Sequence, residues 1–281
     1  MSRCVIALIP NEQKRHSFKL SKEICHYLKE RGVHVVSEPE KAKEIGVDPI
    51  DSVPPNQIQF LVTMGGDGTI LRHCEKYRHL KAPILGINLG YLGFMADVPI
   101  EEIYSSLNDL LEGNYTIEER LVLEGVVGKT RIRSVNDLVI HRATNYSLIE
   151  LQIHFNGVYV NTFLADGMIV ATPTGSTAYS LAAGGPILSP DLDAFVITPI
   201  CPHTISNRPL VLKAEGTLEI QYLSPYNPIE IRADGLSSIS LNTNEVLKVT
   251  KSSEKFRLVH PKRHDYFSTL RSKLGWSGKL G

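Results

Sequence analysis

Five apolar residues in a row, Val5 to Ile9, open the pattern, and so short an uninterrupted run reads as a buried strand. Behind it Leu20, Ile24, Tyr27 and Leu28 recur at helical spacing, with Ser17 placed to cap that helix and Gly32 to close it. Segments 33–37, 60–62 and 84–87 repeat the short apolar pattern, and a helical segment 70–80 separates the last two. Strands alternating with helices predict a parallel sheet with helices on its faces, an α/β N-terminal domain. The stretch 48–56 carries Pro49, Pro54 and Pro55 and reads as a mobile loop. An amphipathic helix over 100–111, stopped by Gly113, links this domain to the second half of the chain.

From Tyr115 onward the period falls towards two. Leu151, Ile153 and Phe155 alternate up to Asn156-Gly157, and Val158 and Val160 continue beyond it; Asn-Gly between such runs is a strong hairpin signal. Short strands are expected over 168–171, 195–198, 210–212, 218–222, 229–231, 239–241 and 246–249. Many short strands at close spacing predict a C-terminal antiparallel domain, sandwich-like or a barrel. The last segment, 266–274, sets Phe267, Leu270 and Leu274 at helical spacing, an apolar stripe that needs a partner.

Composition narrows the function only a little. The 281 residues suit one or two domains, and 42% apolar with 21% charged side chains is ordinary for a globular chain. Thirty basic and thirty acidic residues cancel, so no global basic field draws in nucleic acid. No apolar run approaches the length of a membrane span, and the first ten residues lack a signal peptide's long apolar stretch. Cys4, Cys25, Cys74 and Cys201 are scattered without a CxxC pair, which points to a reducing compartment and a cytoplasmic address.

Chemistry concentrates at Gly65-Gly66-Asp67-Gly68-Thr69, a glycine turn between the 60–62 strand and a helix. Such turns offer backbone N–H groups to an anion at a helix N-terminus. A carboxylate there would repel a phosphate unless it meets a metal or a hydroxyl, so Asp67 needs a role of its own. The segment 172–180 holds six hydroxyls in nine residues and suits close approach of a sugar, a base or phosphates. Asn136-Asp137 reads either as an Asx turn entering a strand or as a grip on a ribose diol or base edge. Asp166-Gly167 and Asp234-Gly235 read either as hairpin turns or as site residues. None of the ten histidines forms an HExxH pair, and His141 and His203 read as structural. There is no GxxxxGK[ST], and no GxGxxG after the first strand. Phosphates would then be held by backbone N–H groups, hydroxyls, Arg72 and a divalent cation, with Mg²⁺ the best suited.

Taken together, 64–69, Asn136-Asp137, 166–169 and 172–179 resemble the NAD kinases in order and spacing. Gly90-Tyr91-Leu92-Gly93-Phe94, Pro202-His203-Thr204 and Asn207-Arg208-Pro209-Leu210 extend the resemblance over nearly the whole chain. GGDGT alone is shared with diacylglycerol-type lipid kinases and phosphofructokinases; the block 166–186 makes the choice. The resemblance implies transfer of a phosphoryl group from ATP, or from polyphosphate in some members, to the 2′-hydroxyl of the adenosine ribose of NAD, giving NADP. It implies an α/β domain over 1–97 joined by segment 264–281, a β domain over 98–263, a site in the cleft between them, and a homodimer or homotetramer. Carried over by motif, Asp67 resembles the proton acceptor and Gly68 lines the phosphate turn. Asn136 and Asp137 would hold the adenosine end of NAD, Asp137 standing where many members have Glu. Asp166, Thr174, Thr177, Ala178, Tyr179, Ser180, Leu181 and Ala182 would complete the dinucleotide site, with Phe94 and Arg72 alongside. Asp234 resembles a family Asp-Gly-like turn, but Leu236 replaces the glutamine of some members, so its contact stays open. A diacylglycerol-type lipid kinase and a non-catalytic NAD(P)-binding regulator are the rival readings.

Overall fold

The computed structural model describes residues 4–11, 15–203, 208–262 and 265–276. The first elements are β1 (Val5–Ile9), α1 (Arg15–Glu30), β2 (His34–Ser37), α2 (Pro39–Ile45), β3 (Asp48–Pro49) and β4 (Phe60–Met64). Then come α3 (Asp67–Lys76), β5 (Ile84–Ile87), α4 (Ile103–Glu112) and β6 (Tyr115–Arg120). Strands β7 (Leu123–Val127), β8 (Thr130–Ser134), β9 (Asp137–His141), β10 (Ile149–Phe155), β11 (Val158–Ala165) and β12 (Gly167–Ala171) follow. A short helix α5 (Tyr179–Ala182) precedes β13 (Ala194–Ile200), β14 (Leu210–Lys213), β15 (Leu218–Tyr222), β16 (Ile229–Ala233), β17 (Ser237–Leu241) and β18 (Val246–Lys251). The chain closes with β19 (Phe256–Pro261) and α6 (Tyr266–Leu274). It forms two compact units: Met1–Glu118 with Arg257–Gly281, and Glu119–Phe256.

Unit 1 is built on a sheet in the order β3-β2-β1-β4-β5-β19-β6, parallel from β3 through β19. The apolar runs of β1 and β4 are buried along their whole length, as a sheet covered on both faces requires. Ile24 and Leu28 of α1 join the same core as Ile103, Leu107 and Leu110 of α4. Because α4 packs there, the division falls after Glu118, later than the 97/98 boundary expected from the sequence. Ser17 is inside α1 and is not its cap; its buried Oγ accepts from the Asn11 N–H at 2.8 Å. The proline-rich stretch 48–56 is pinned by the β2–β3 pairing and by buried Ile50 and Val53.

Unit 2 consists of two six-stranded sheets, β11-β10-β15-β18-β7-β8 and β14-β13-β12-β9-β16-β17, with antiparallel pairing throughout. Leu151, Ile153 and Ile220 from the first sheet and Ile140, Val170 and Phe195 from the second share one core, so this is a sandwich. Asn156 and Gly157 both take positive φ and close the β10–β11 hairpin at Phe155↔Val158. Asp166-Gly167 is not a hairpin turn: β11 lies in one sheet and β12 in the other, and the chain changes sheet there. On the outer face of the second sheet, Val139, Ile169, Ala171 and Val196 are covered by Ala183 and Leu188 from the 172–193 excursion.

Candidate active site

In unit 1, β4 ends at Met64 and the glycine turn leads directly into α3, whose first residue is Asp67. At Gly65 a side chain would overlap Thr69, whereas space is open beside Gly66 and Gly68, where an anion can approach the backbone. The Thr69 hydroxyl is fixed by Asn11 Nδ2 at 3.4 Å and by Arg72 Nη2 at 3.3 Å. Arg72 is thereby held one turn into the helix, on the side of the glycine turn.

Asp67 does more than sit in the turn. Its Oδ2 accepts from the Phe94 N–H at 2.8 Å, and its Oδ1 accepts from Met95 at 3.0 Å and Ala96 at 2.9 Å. The approach requires Gly93, because a Cβ there would overlap Oδ1. An ionised carboxylate has about four acceptor positions. Three are taken among the described residues, which leaves one position over, on Oδ2. Phe94 is in turn contacted by α6: its ring lies 6.2 Å from that of Tyr266, and Lys273 Nζ stands 5.7 Å from its centroid.

In unit 2 a cavity of about 460 Å³ opens at the start of β9, lined by Asn136, Asp137, Ala178, Tyr179, Asp234 and Gly235. Val139, His141 and Arg232 complete its wall. Asp234, at φ +51°, makes the β16–β17 turn and also receives three N–H groups: Val135 at 2.8 Å, Asn136 at 2.8 Å and Asp137 at 3.2 Å. The Asp-Gly pair is thus the β16–β17 turn, and its carboxylate also fixes the start of β9 beside the cavity. Thr172 Oγ1 donates to the Val135 carbonyl, and a Cβ at Gly175 would overlap the Asn136 carbonyl, so the 172–180 loop is seated against 135–136. Burial, with the Asp234 carboxylate adding to it, pushes the Asp137 carboxyl up to about 7. Asn136 Oδ1 and Thr174 Oγ1 are buried with no hydrogen-bond partner among the described residues, an arrangement that calls for a polar ligand.

Of the residues singled out in the sequence, Asn136, Asp137, Ala178 and Tyr179 meet at this cavity. Asp166, Thr174, Thr177, Ser180, Leu181 and Ala182 do not line it. Asp166 pairs with Arg142 at 3.0 Å, Thr177 Oγ1 donates to the Thr174 carbonyl, and Ser180 is fully buried against the Thr198 hydroxyl. Thr204 and Asn207 lie outside the described residues. Sequence reasoning missed Arg232, which the β16 register carries to the cavity beside Val139. It also missed the hold of 94–96 on Asp67, although Gly93 in the Gly-Tyr-Leu-Gly-Phe run was the available signal. No group of three or more His, Cys, Asp or Glu able to hold a metal ion occurs among the described residues.

The same chain matches the family model of the ATP-NAD kinase N-terminal domain over residues 6–115 and that of the C-terminal domain over residues 135–261. It is 54% identical over 277 residues to an NAD kinase of Protochlamydia amoebophila, covering 98% of this chain and 99% of that one. An NAD kinase of Nitrosomonas eutropha is 37% identical over 98% of this chain and 96% of its own. Among solved structures, yeast NADH kinase complexed with NADH superposes with a TM-score of 0.86 at 26% identity, covering 99% of this chain and 89% of that one. An Archaeoglobus fulgidus NAD kinase in complex with ATP gives 0.78 at 27% identity over 96% and 98%. Two domain models in the right order and a relative more than half identical from end to end leave one assignment: the chain belongs to the NAD kinase family.

Proposed function

We propose that the protein transfers the terminal phosphoryl group of ATP to the 2′-hydroxyl of the adenosine ribose of NAD. The observation that carries this reading is the Asp67 carboxylate: fixed by three backbone amides at the head of α3, with one acceptor position to spare. A free aspartate, with pKa about 3.9, is a weak base towards a sugar hydroxyl. Phosphoryl transfer nevertheless passes through a loose transition state, in which the acceptor proton leaves late. Asp67 then chiefly aims the 2′-hydroxyl at phosphorus and takes its proton as the new bond forms. The open backbone at Gly66 and Gly68 and the Arg72 guanidinium receive the phosphates. In unit 2, Asn136 and a protonated Asp137 offer an acceptor and a donor to the adenosine end, and Tyr179 offers a ring for stacking. The Thr174 hydroxyl, buried without a partner among the described residues, is a further group for the ligand, Thr177 and Ser180 hold the loop that carries it, and Asp166, Leu181 and Ala182 join the dinucleotide site by motif alone.

A divalent cation has a poor set of protein donors, since Asp67 retains a single acceptor position and the described residues hold no cluster of ligands. Mg²⁺ is therefore assigned to the triphosphate and enters as part of the substrate. No described helix is long and apolar enough to cross a membrane. The four free cysteines favour a cytoplasmic enzyme. Exposed Val158, Tyr159 and Leu164 on edge strand β11 favour a homo-oligomer.

The test supplies NAD with Mg²⁺ and, in turn, ATP or polyphosphate, and measures NADP. NADP formed with ATP supports the reading. Phosphorylation of a diacylglycerol instead, or tight NADP binding without any turnover, overturns it.

A further inference from the structure

The hold on Asp67 depends on the shape of the segment that supplies the three amides, and a side chain outside the turn reaches across that segment. Asn88 follows β5 directly and is 4% exposed. Its Nδ2 donates to the carbonyl of Ala96 at 3.1 Å and to that of Tyr91, and its Oδ1 accepts from the Gly90 N–H at 2.7 Å. Only one orientation of the amide satisfies all three partners, because two carbonyls need the NH₂ and one N–H needs the oxygen. The Asn88 backbone is itself tied to Val98, whose carbonyl accepts its N–H at 2.8 Å. The loop 88–98 is thus closed at its base by the backbone and braced across its middle by the Asn88 amide together with the Gly93 N–H, which donates to the same Ala96 carbonyl at 3.0 Å. Ala96 is gripped from both sides: its N–H by Asp67 Oδ1 and its carbonyl by Asn88 Nδ2.

We propose that Asn88 is a positioning residue for phosphoryl transfer, setting the 94–96 amides that orient the Asp67 carboxylate towards the acceptor hydroxyl. The proposal rests on the phosphoryl-transfer reading for its kinetic consequence, but the bracing itself can be measured without turnover. No aliphatic side chain can replace it: removing the amide leaves the buried Ala96 carbonyl with the Gly93 N–H alone, at 3.0 Å, and frees the Gly90 N–H and the Tyr91 carbonyl at the loop's exposed edge. Misplacing a reacting group by about 1 Å can cost on the order of a hundredfold in rate.

The experiment compares wild type, Asn88→Ala and the isosteric Asn88→Asp, which keeps the Gly90 acceptor and loses both donors. Each substitution is made alone and in an Asp67→Asn background. NADP formation is followed with NAD, ATP and Mg²⁺, and amide hydrogen exchange is read at 94–96. A side chain acting through Asp67 lowers kcat about tenfold to a hundredfold in the wild-type background. It leaves the KM for NAD within about twofold and changes kcat by less than about twofold once Asp67 is Asn. The 94–96 amides exchange about tenfold faster or more in the same variants. An equal loss in both backgrounds, or a loss confined to KM, overturns the proposal. If Asn88→Ala does not fold, Asn88→Asp is judged by the same criteria. Wild type without any NADP formation would refute the phosphoryl-transfer reading; unchanged exchange at 94–96 in the variants would refute the bracing role independently.

Discussion

Asp137 offers a quantitative handle on what the candidate site costs the fold. Its carboxyl is 5% exposed and lies near Asp234, and burial followed by that neighbouring charge raises it from 3.8 to about 7. A folded-state pKa above the unfolded one means the folded protein holds this proton more tightly. Its contribution to stability is therefore greatest at low pH, declines as pH rises from about 4, and has become a full penalty above about 7. At 1.36 kcal/mol per unit, a shift of about three units sets a ceiling of about 4 kcal/mol. Asp137→Asn keeps the volume and removes the titration. Urea denaturation of both proteins at pH 5 and pH 8 isolates the effect, because other groups cancel in the difference. The variant is expected to gain about 2–3 kcal/mol on wild type between the two pH values. A gap that is the same at pH 5 and pH 8 would show that Asp137 is ionised at no cost and refute the reasoning.

Three further outcomes are expected from the geometry. Gly93→Ala forces a methyl group onto Asp67 Oδ1, so kcat is expected to fall by about a hundredfold or more, with a stability loss of about 1–3 kcal/mol in a melting curve. Burial alone would raise the Glu38 carboxyl, but hydrogen bonds from Lys41, Lys76 and Tyr77 outweigh it and hold the group down at about 2. Glu38→Gln takes a carboxylate away from the buried Lys41 ammonium and is expected to cost about 3–5 kcal/mol near neutral pH; since the folded pKa is depressed, that difference shrinks as pH falls from about 4.5 towards 2. In NAD-binding titrations, affinity is expected to change with an apparent pKa near 7 in wild type and to lose that dependence in Asp137→Asn.

Much of the fold was legible because its signals are local. The apolar run at β1, the Asn156-Gly157 turn and the alternation of β10 each specify an element from a few residues. Strand β19 escaped notice because its place between β5 and β6 is a long-range pairing, Leu258 beside Ile84, that no local pattern announces. Helix α2 is seven residues long and starts on a proline, too short for a clear period. The site divides in the same way. The glycine turn and the 172–180 loop are visible as composition. What Asp67 and Asp234 do with their carboxylates is not, because each reaches amides that lie far away in sequence, 94–96 and 135–137. Ser180 looks like one more ligand hydroxyl in the sequence, and only its buried hydrogen bond to the Thr198 hydroxyl, eighteen positions away on β13, reveals a structural pair.

The central claim is that Asp67 both anchors 94–96 and presents its remaining acceptor position to the reacting hydroxyl. The direct measurement is steady-state NADP formation by wild type and Asp67→Asn, alongside NAD affinity for each. In Asp67→Asn, kcat is expected to fall by on the order of 10²–10⁴ while NAD still binds, the range expected for loss of a general base. An Asn variant within about tenfold of wild type, below that range, would contradict it.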